Sequence, residues 1–419
     1  MKPKRAGAIA RFLAEPALAR LLGALDGDGE ETRIVGGAVR NLLLGEPASD
    51  VDLATTALPE ETMRRGRAAG FKAVPTGIEH GTVTLVAEGA GFEVTTLRSD
   101  VETDGRRAKV AFGRDFTADA VRRDFTINAL GLSRDGTIHD YCGGLDDLKH
   151  RRVRFIGDAG TRIREDYLRI LRFFRFHARY GAGEPDRQGL GACIAGRAGL
   201  AGLSRERVRA ELMKLLVAPG VIGTLRAMAG AGLIVPVIGG VPHLARFSGV
   251  GDADPIVRLA ALAVLVSEDA ARLRERLRLS NTELDRIERI ARALEALGGG
   301  ERLPSLERLR QVAGQAGRDA ATAALALLTA SAGEETRADA RNLAARLELT
   351  PPFLPGGHEL MARGIPAGPW VGRLLDEARR LWIEAGAPAG LEAQLAFLDR
   401  AVAAQRPLIV MPPFSTTPT

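Results

Sequence analysis

The sequence predicts an α/β unit built on a mixed sheet, followed by an all-α remainder. Two observations carry that prediction. Between Arg33 and about Arg154, short apolar runs are broken by Gly and Asp, the pattern of brief strands and tight turns. From about Gly157 onward the apolar residues recur at i, i+3 and i+4, the period of helices, and keep doing so.

The elements follow in order. The opening MKPKRAGAIARFLAEPALARLL is basic, Ala-rich and amphipathic, so residues 1–30 are expected as an N-terminal helix. A transit peptide has a similar composition, but Glu15 favours the plain helix. RIVGG, VDLAT, HGTVTLVAE, GFEVTTLR and NALGLS read as strands, with AVRNLL and LPEETMRRGRAAG as helices among them. SRERVRAELMKLL, DPIVRLAALAVLVSEDAARLRERL and NTELDRIERIARALEAL carry the helical spacing. GAGEPDRQG, IGGVPH, GGGERLPS and LTPPFLPGG mark loops between helical pieces, and the tail after Pro407 reads as loosely ordered. The expected division is 1–30, 31–155, 156–216 and 217–419.

Bulk properties narrow the class. A chain of 419 residues is expected to form roughly two to four packed units. Hydrophobic content of 46% and charged content of 26% are ordinary for a soluble globular protein. No run of about 18 apolar residues offers a membrane span. Cys142 and Cys193 are too few for a cysteine cluster or disulfide framework, and a reducing, cytoplasmic setting is expected. The net charge is +6, yet from Lys149 to Lys214 there are 16 Lys/Arg against 7 Asp/Glu. That concentrated positive zone suits a polyanion, although a solvated helical face has the same composition.

The chemistry-bearing motif comes first in RIVGGAVRNLLLGEPASDVDLATT. Gly36 and Gly37 lack side chains, so the backbone can approach a phosphate closely before the helix begins. Asp50 and Asp52 alternate with apolar neighbours, which on a strand would put both carboxylates on one face, about 7 Å apart. Two adjacent carboxylates repel unless a divalent cation such as Mg²⁺ joins them to phosphate oxygens. A lone GG turn or a lone DxD is a weak signal. Together with Arg40 and a strand context they favour phosphoryl transfer through two metal ions.

With these residues in place, the sequence resembles the class II CCA-adding enzyme and bacterial poly(A) polymerase family of nucleotidyltransferases. The resemblance runs from Arg33 to Leu216 and continues through FEVTTLRSD with DGRRAKV, RRDFTINAL, EDYLRILRFFRF and RERVRAEL. Asn41 departs from it, because the family usually carries Asp after VR. The resemblance implies an α/β nucleotidyltransferase head, a nucleotide-reading helical neck, and an all-helical body and tail that hold RNA. It implies that Arg123 and Asp124 meet the ribose and phosphates of the incoming nucleotide, with Asn128 supporting the turn. Glu93 is a candidate third carboxylate at the metal site, with a cross-strand partner for an Arg as its alternative role. The stretch Arg98–Arg114 looks like the family's flexible loop.

On one continuous helix starting at Asp166, Arg169, Arg172 and Arg175 would fall at about 300°, 240° and 180°, opposite the apolar side. Phe173 and Phe176 sit among these arginines, which suggests a partly enclosed basic side. On their pairing edges C and A each offer an amino donor beside a ring-nitrogen acceptor, whereas U and G offer the reverse. A carboxylate accepts from the amino group and a guanidinium donates to the ring nitrogen. By resemblance, Asp166 and Arg169 are therefore the protein template, and Arg172 and Arg175 hold the triphosphate. The expected activity is template-independent addition of C and A, from CTP and ATP, to the 3′ end of tRNA. Residues that hold the RNA are not assigned.

A poly(A) polymerase, or an A-only or CC-only enzyme, shares the same head. A metal-dependent phosphohydrolase built on His139-Asp140 lacks the further ligands it needs, and an inactive RNA-binding module would not require both Asp50 and Asp52.

Overall fold

The head is organised by a seven-stranded sheet. The computed structural model describes residues 3–48, 50–104, 107–298 and 303–405. Its strands are β1 (Thr32–Val35), β2 (Asp52–Thr55), β3 (Lys72–Gly77), β4 (Thr82–Ala87), β5 (Ala90–Thr96), β6 (Arg98–Asp104), β7 (Arg107–Phe112), β8 (Leu130–Leu132) and β9 (Ile138–Asp140). The sheet order is β3-β4-β5-β2-β1-β8-β9, with β6 and β7 forming a separate two-stranded ribbon. Only β2 and β5 pair in parallel, so the sheet is mixed as expected. Between those two strands come the Pro59–Ala68 helix and the β3–β4 hairpin, the intervening chain that a parallel pair needs to return in the same direction.

Several expected elements need correction. The opening segment is two helices, Pro3–Leu13 and Pro16–Leu25, because Pro16 starts a new first turn and has no N–H to continue the old one. The stretch read as a loop from Arg98 to Arg114 contains the β6–β7 ribbon, whose alternating charged and small residues mask a strand period. Asp50 does not lie on β2: its φ of 54° is left-handed and the strand begins two residues later. The long periodic run beginning at Asp254 divides into helices Pro255–Ala263 and Glu268–Leu277. There the Asp269 carboxylate captures the backbone N–H groups of Leu265 and Val266 at 2.7 and 3.2 Å, drawing them out of a helical ladder.

The chain folds into two compact units, Met1–Leu233 and Ile234–Thr419. In the first, the Leu168–Tyr180 helix packs against the Arg205–Leu216 and Val221–Gly230 helices. An aromatic cluster fastens that helix to the head. Phe125 lies 5.0 Å from both Phe155 and Phe176, and Phe155 stacks on Phe173 at 5.3 Å between ring centroids. These rings are buried, so the positions of the neighbouring arginines are set by a core and not by surface rotamers. The second unit is helical throughout. Its Asn281–Leu297 helix begins with a capping box in which Ser280 and Glu283 satisfy each other's backbone N–H. Its core near the C-terminus gathers Leu360, Leu374, Trp382 and Leu398. No helix among the described residues is long and apolar enough to cross a membrane.

Candidate active site

A cleft of about 840 Å³ opens between the sheet and the Leu168–Tyr180 helix, entirely within the first unit. Its floor is made by the turn after β1. Gly36 has φ 71° and ψ −124°, a conformation open to glycine, and a Cβ there would stand 2.9 Å from Arg123 Nη1. Gly37 is helical, and a Cβ on it would meet Arg40 Nη2 at an ordinary 3.6 Å. Gly36→Ala should therefore destabilise the fold by about 1–3 kcal/mol, whereas Gly37→Ala should stay within about 1 kcal/mol of the parent. Denaturant unfolding of the two variants checks this, and equal losses would contradict the glycine-only reading of Gly36.

The carboxylates come next. Asp50 and Asp52 both line the cleft although only Asp52 is on the strand. Asp52 pairs in register with Glu93 of β5, so their side chains leave the sheet on the same face. Burial, and then Glu93, raise the Asp52 pKa above the ordinary carboxylate value; Arg123 opposes this and Asp50 adds to it. Glu93 and Asp50 thus both disfavour ionisation of Asp52, and Arg123 offsets them only in part. Glu93 itself faces the adjoining depression with His80 and Arg98 and does not line the main cleft. Among the described residues no three His, Cys, Asp or Glu side chains are gathered closely enough to hold a metal ion by themselves. The donor set that faces the cleft is two carboxylates, which fits a hard cation that shares its remaining positions with phosphate oxygens and water.

The RRDFTINAL turn is held from behind. Asp119 is buried and accepts from Arg122 at 2.9 Å and from Arg123 at 3.1 Å. Burial opposes its ionisation, yet Arg123 and Arg122 hold its pKa below the usual value. Asp124 accepts from Phe125 N–H and Asn128 Nδ2, both at 2.9 Å, and from Arg172 Nε at 2.7 Å. Asn128 in turn accepts from Arg40. These residues stand together at the cleft, but Asp124 and Arg123 are already engaged with protein partners.

The expected single helix from Asp166 to Phe176 is not formed. One helix ends at Glu165, Asp166 is extended at φ −155° and ψ 105°, and the next begins at Leu168. The Asp166 carboxylate accepts from Leu168 N–H at 3.1 Å, a local turn bond that competes with helix. Its second oxygen accepts from Arg207 at 2.6 Å. Arg169 remains helical and donates through Nη1 to Glu165 and to the Arg162 carbonyl. Arg172 and Arg175 project as expected, steadied by the buried Glu211, which accepts from Arg175 Nε at 2.5 Å. Asp166, Arg169, Arg172 and Arg175 all reach the cleft.

Sequence reading missed Asp119, Tyr180, Arg207, Glu211 and Lys214. Arg207 and Glu211 lie four residues apart in RERVRAEL, the spacing that puts two side chains on one helix face. The His139-Asp140 dipeptide is structural: His139 Nε2 meets Ser133 Oγ at 2.7 Å, and Asp140 accepts from the N–H groups of Gly144 and Leu145 at 2.8 and 2.9 Å.

Residues 32–154 match the Poly A polymerase head domain family. The chain is 37% identical over 364 residues to CCA tRNA nucleotidyltransferase 1, mitochondrial, of Danio rerio, covering 84% of this chain and 83% of that protein. It is 42% identical over 212 residues to the CCA-adding enzyme of Leuconostoc citreum, covering 50% of this chain and 51% of that one. Among solved structures, the Bacillus stearothermophilus CCA-adding enzyme in complex with CTP superposes with a TM-score of 0.72 at 28% identity, over 94% of this chain and all of that one.

Proposed function

The chain belongs to the CCA tRNA nucleotidyltransferase family, and on that premise we propose that it adds C and A, from CTP and ATP, to the 3′ end of tRNA. The observation that carries the reading is a single cleft lined by both a carboxylate pair, Asp50 and Asp52, and the Asp166/Arg169/Arg172/Arg175 set. Purified protein, tRNA lacking its 3′ terminus and labelled CTP or ATP, resolved on a sizing gel, tests it. Three added nucleotides are expected; a long A ladder would make it a poly(A) polymerase, and a single A or two Cs a specialist of the family.

The proposed division of labour follows the side chains. Asp50 and Asp52 would hold a divalent metal, which we take to be Mg²⁺; when bound it supplies charge neutralisation at the reacting oxygens. Glu93, in register with Asp52 on the neighbouring strand, adds a negative charge whose repulsion a bound cation would relieve. Gly36 and Gly37 let the triphosphate lie close to the backbone, and Arg40, Arg172 and Arg175 receive its charge. Arg123, Asp124 and Asn128 shape the ribose end. Asp166 accepts from the amino group of C or A, and Arg169 donates to the adjacent ring nitrogen. Asp166 has two further acceptor positions beyond its bonds to Arg207 and Leu168, and the hydrogen bonds of Arg169 described above engage Nη1.

We assign residues 31–155 to the catalytic head, 156–216 to the nucleotide-reading neck and 217–419 to RNA binding, with 1–30 flanking the head. The cytoplasm is the proposed compartment, on the grounds that Cys142 and Cys193 are free thiols; the mitochondrial designation belongs to the vertebrate relatives. Because Lys149–Lys214 carries 16 basic against 7 acidic residues, tRNA affinity should fall with salt. If roughly five phosphates are neutralised, log Kd should rise with log salt at a slope of about 4. A salt titration with labelled tRNA measures it, and a flat line would make the basic zone only a solvated face.

A further inference from the structure

Arg40 is the unusual cation of the cleft. It is 6% exposed, and its guanidinium carbon lies 4.1 Å from the Tyr180 ring centroid and 5.3 Å from that of Phe176. Every other guanidinium lining the cleft touches a carboxylate. The hydrogen-bond partners of Arg40 among the described residues are all neutral: Asn128 Oδ1, Asn41 Oδ1 from Nε at 3.2 Å and from Nη2 at 3.0 Å, and Tyr180 Oη at 2.7 Å. Tyr180 Oη also donates to Asn41 Oδ1 at 3.4 Å, and Asn41 Nδ2 donates to the Pro47 carbonyl at 3.5 Å. Because a guanidinium only donates, the amide oxygen of Asn41 is the end that faces Arg40. Asp124 and Arg175 act on the guanidinium at longer range and with opposite signs, while burial lowers its pKa.

A buried cation without a carboxylate partner is costly, and a nearly isosteric acid at position 41 would relieve that cost. We propose that Asn41 and Tyr180 are positioning residues that hold Arg40 through neutral contacts, so that its charge stays uncompensated until the triphosphate of the incoming nucleotide arrives. Asn41 matters here for the charge it lacks. The same amide geometry with a carboxylate would keep Arg40 in place and satisfy it, and the phosphates would then compete with an internal anion. Tyr180 contributes a further neutral acceptor and the ring that covers one face of the guanidinium. The proposal rests on the nucleotidyltransferase reading of the cleft, and its test separates the two.

Asn41→Asp and Tyr180→Phe in the full chain, with tRNA lacking its terminal nucleotides as primer, provide that test. Asn41→Asp should raise KM for both CTP and ATP about tenfold, one ionic contact's worth, with kcat within about twofold. Affinity for inorganic tripolyphosphate, measured by calorimetry, should fall by a similar factor, and the unfolding midpoint should not fall, because an ion pair has been gained. Tyr180→Phe should move KM and tripolyphosphate affinity in the same direction by about threefold. Unchanged KM and tripolyphosphate affinity in Asn41→Asp, or a loss of kcat at constant KM, would overturn the proposal. Should Asn41→Asp not fold, unchanged tripolyphosphate affinity in Tyr180→Phe would overturn it alone. A parent protein that binds tripolyphosphate in this Asn41-dependent way but adds nothing to tRNA would sink the CCA-adding reading and leave the clamp standing.

Discussion

Asp52→Ala is expected to reduce nucleotide addition by about 10³-fold or more, the scale of losing several kcal/mol of charge stabilisation at the reacting oxygens. The same substitution should leave the fold as stable as before or slightly more so. Burial and the neighbouring Glu93 raise the Asp52 pKa, with Asp50 adding to them. For an acid whose pKa is raised by folding, the ionised form is the one the fold disfavours. Its burden is absent at low pH and fully felt once the pH exceeds the folded pKa, so a neutral side chain removes it near neutrality. Activity and stability then move in opposite directions, the signature of a group kept for function and not for packing. Asp50→Ala should lose activity to a similar degree. It stands outside the strand at a left-handed φ of 54°, so Ala also removes some of the local tolerance that Asp has for that conformation. Kinetics on tRNA primers together with denaturant midpoints decide the matter. Addition above about a tenth of the parent rate in both variants would sink the assignment of these two carboxylates to a metal site.

The architecture was legible where periodicity and glycine punctuation agreed. GG after a strand, followed by AVRNLL, gave the β1 turn and its helix, and the spacing in NTELDRIERIARALEAL gave the Asn281–Leu297 helix. What failed were elements governed by side-chain-to-backbone competition. Asp166 and Asp269 both take backbone N–H groups that a helix would otherwise use, and a wheel drawn through such a residue assumes the continuity that the residue removes. Strand β3 was missed because KAVPTG contains Pro75, and the chain accommodates it at an edge of the sheet, where a bulge interrupts pairing between Val74 and Gly77. The candidate site was legible as a list of groups facing the nucleotide. Two of its supports were not, because Glu211 and Arg207 act on an arginine and an aspartate from other elements, and those distances exist only after folding; Asp119 is local, reaching Arg122 and Arg123 three and four residues along the chain.

Those supports change what is expected of base choice. Asp166→Ala should lower kcat/KM for CTP and ATP by about 10²-fold, because an acceptor for the amino group is lost and the partner group is left unpaired. UTP and GTP, whose pairing edges present an acceptor where C and A present a donor, should lose far less, so discrimination collapses even as the overall rate falls. Arg207 holds one oxygen of that carboxylate at 2.6 Å. Arg207→Ala should therefore produce a weaker copy of the same pattern: a smaller loss for CTP and ATP than Asp166→Ala, and almost none for UTP and GTP. Arg172 bonds Asp124 and lies one turn along the helix from Arg169. Arg172→Ala should depress all four triphosphates alike, since a phosphate contact carries no base information. The same four-substrate measurement, on primers ending before the second C and before the final A, compares all three variants with the parent. Because Asp166 is extended and tied to two protein donors, its geometry does not depend on helix register, and the expectation depends only on the carboxylate reaching the base. If Asp166→Ala scales the four substrates by one common factor, base selection lies elsewhere in the cleft and the protein-template reading is wrong.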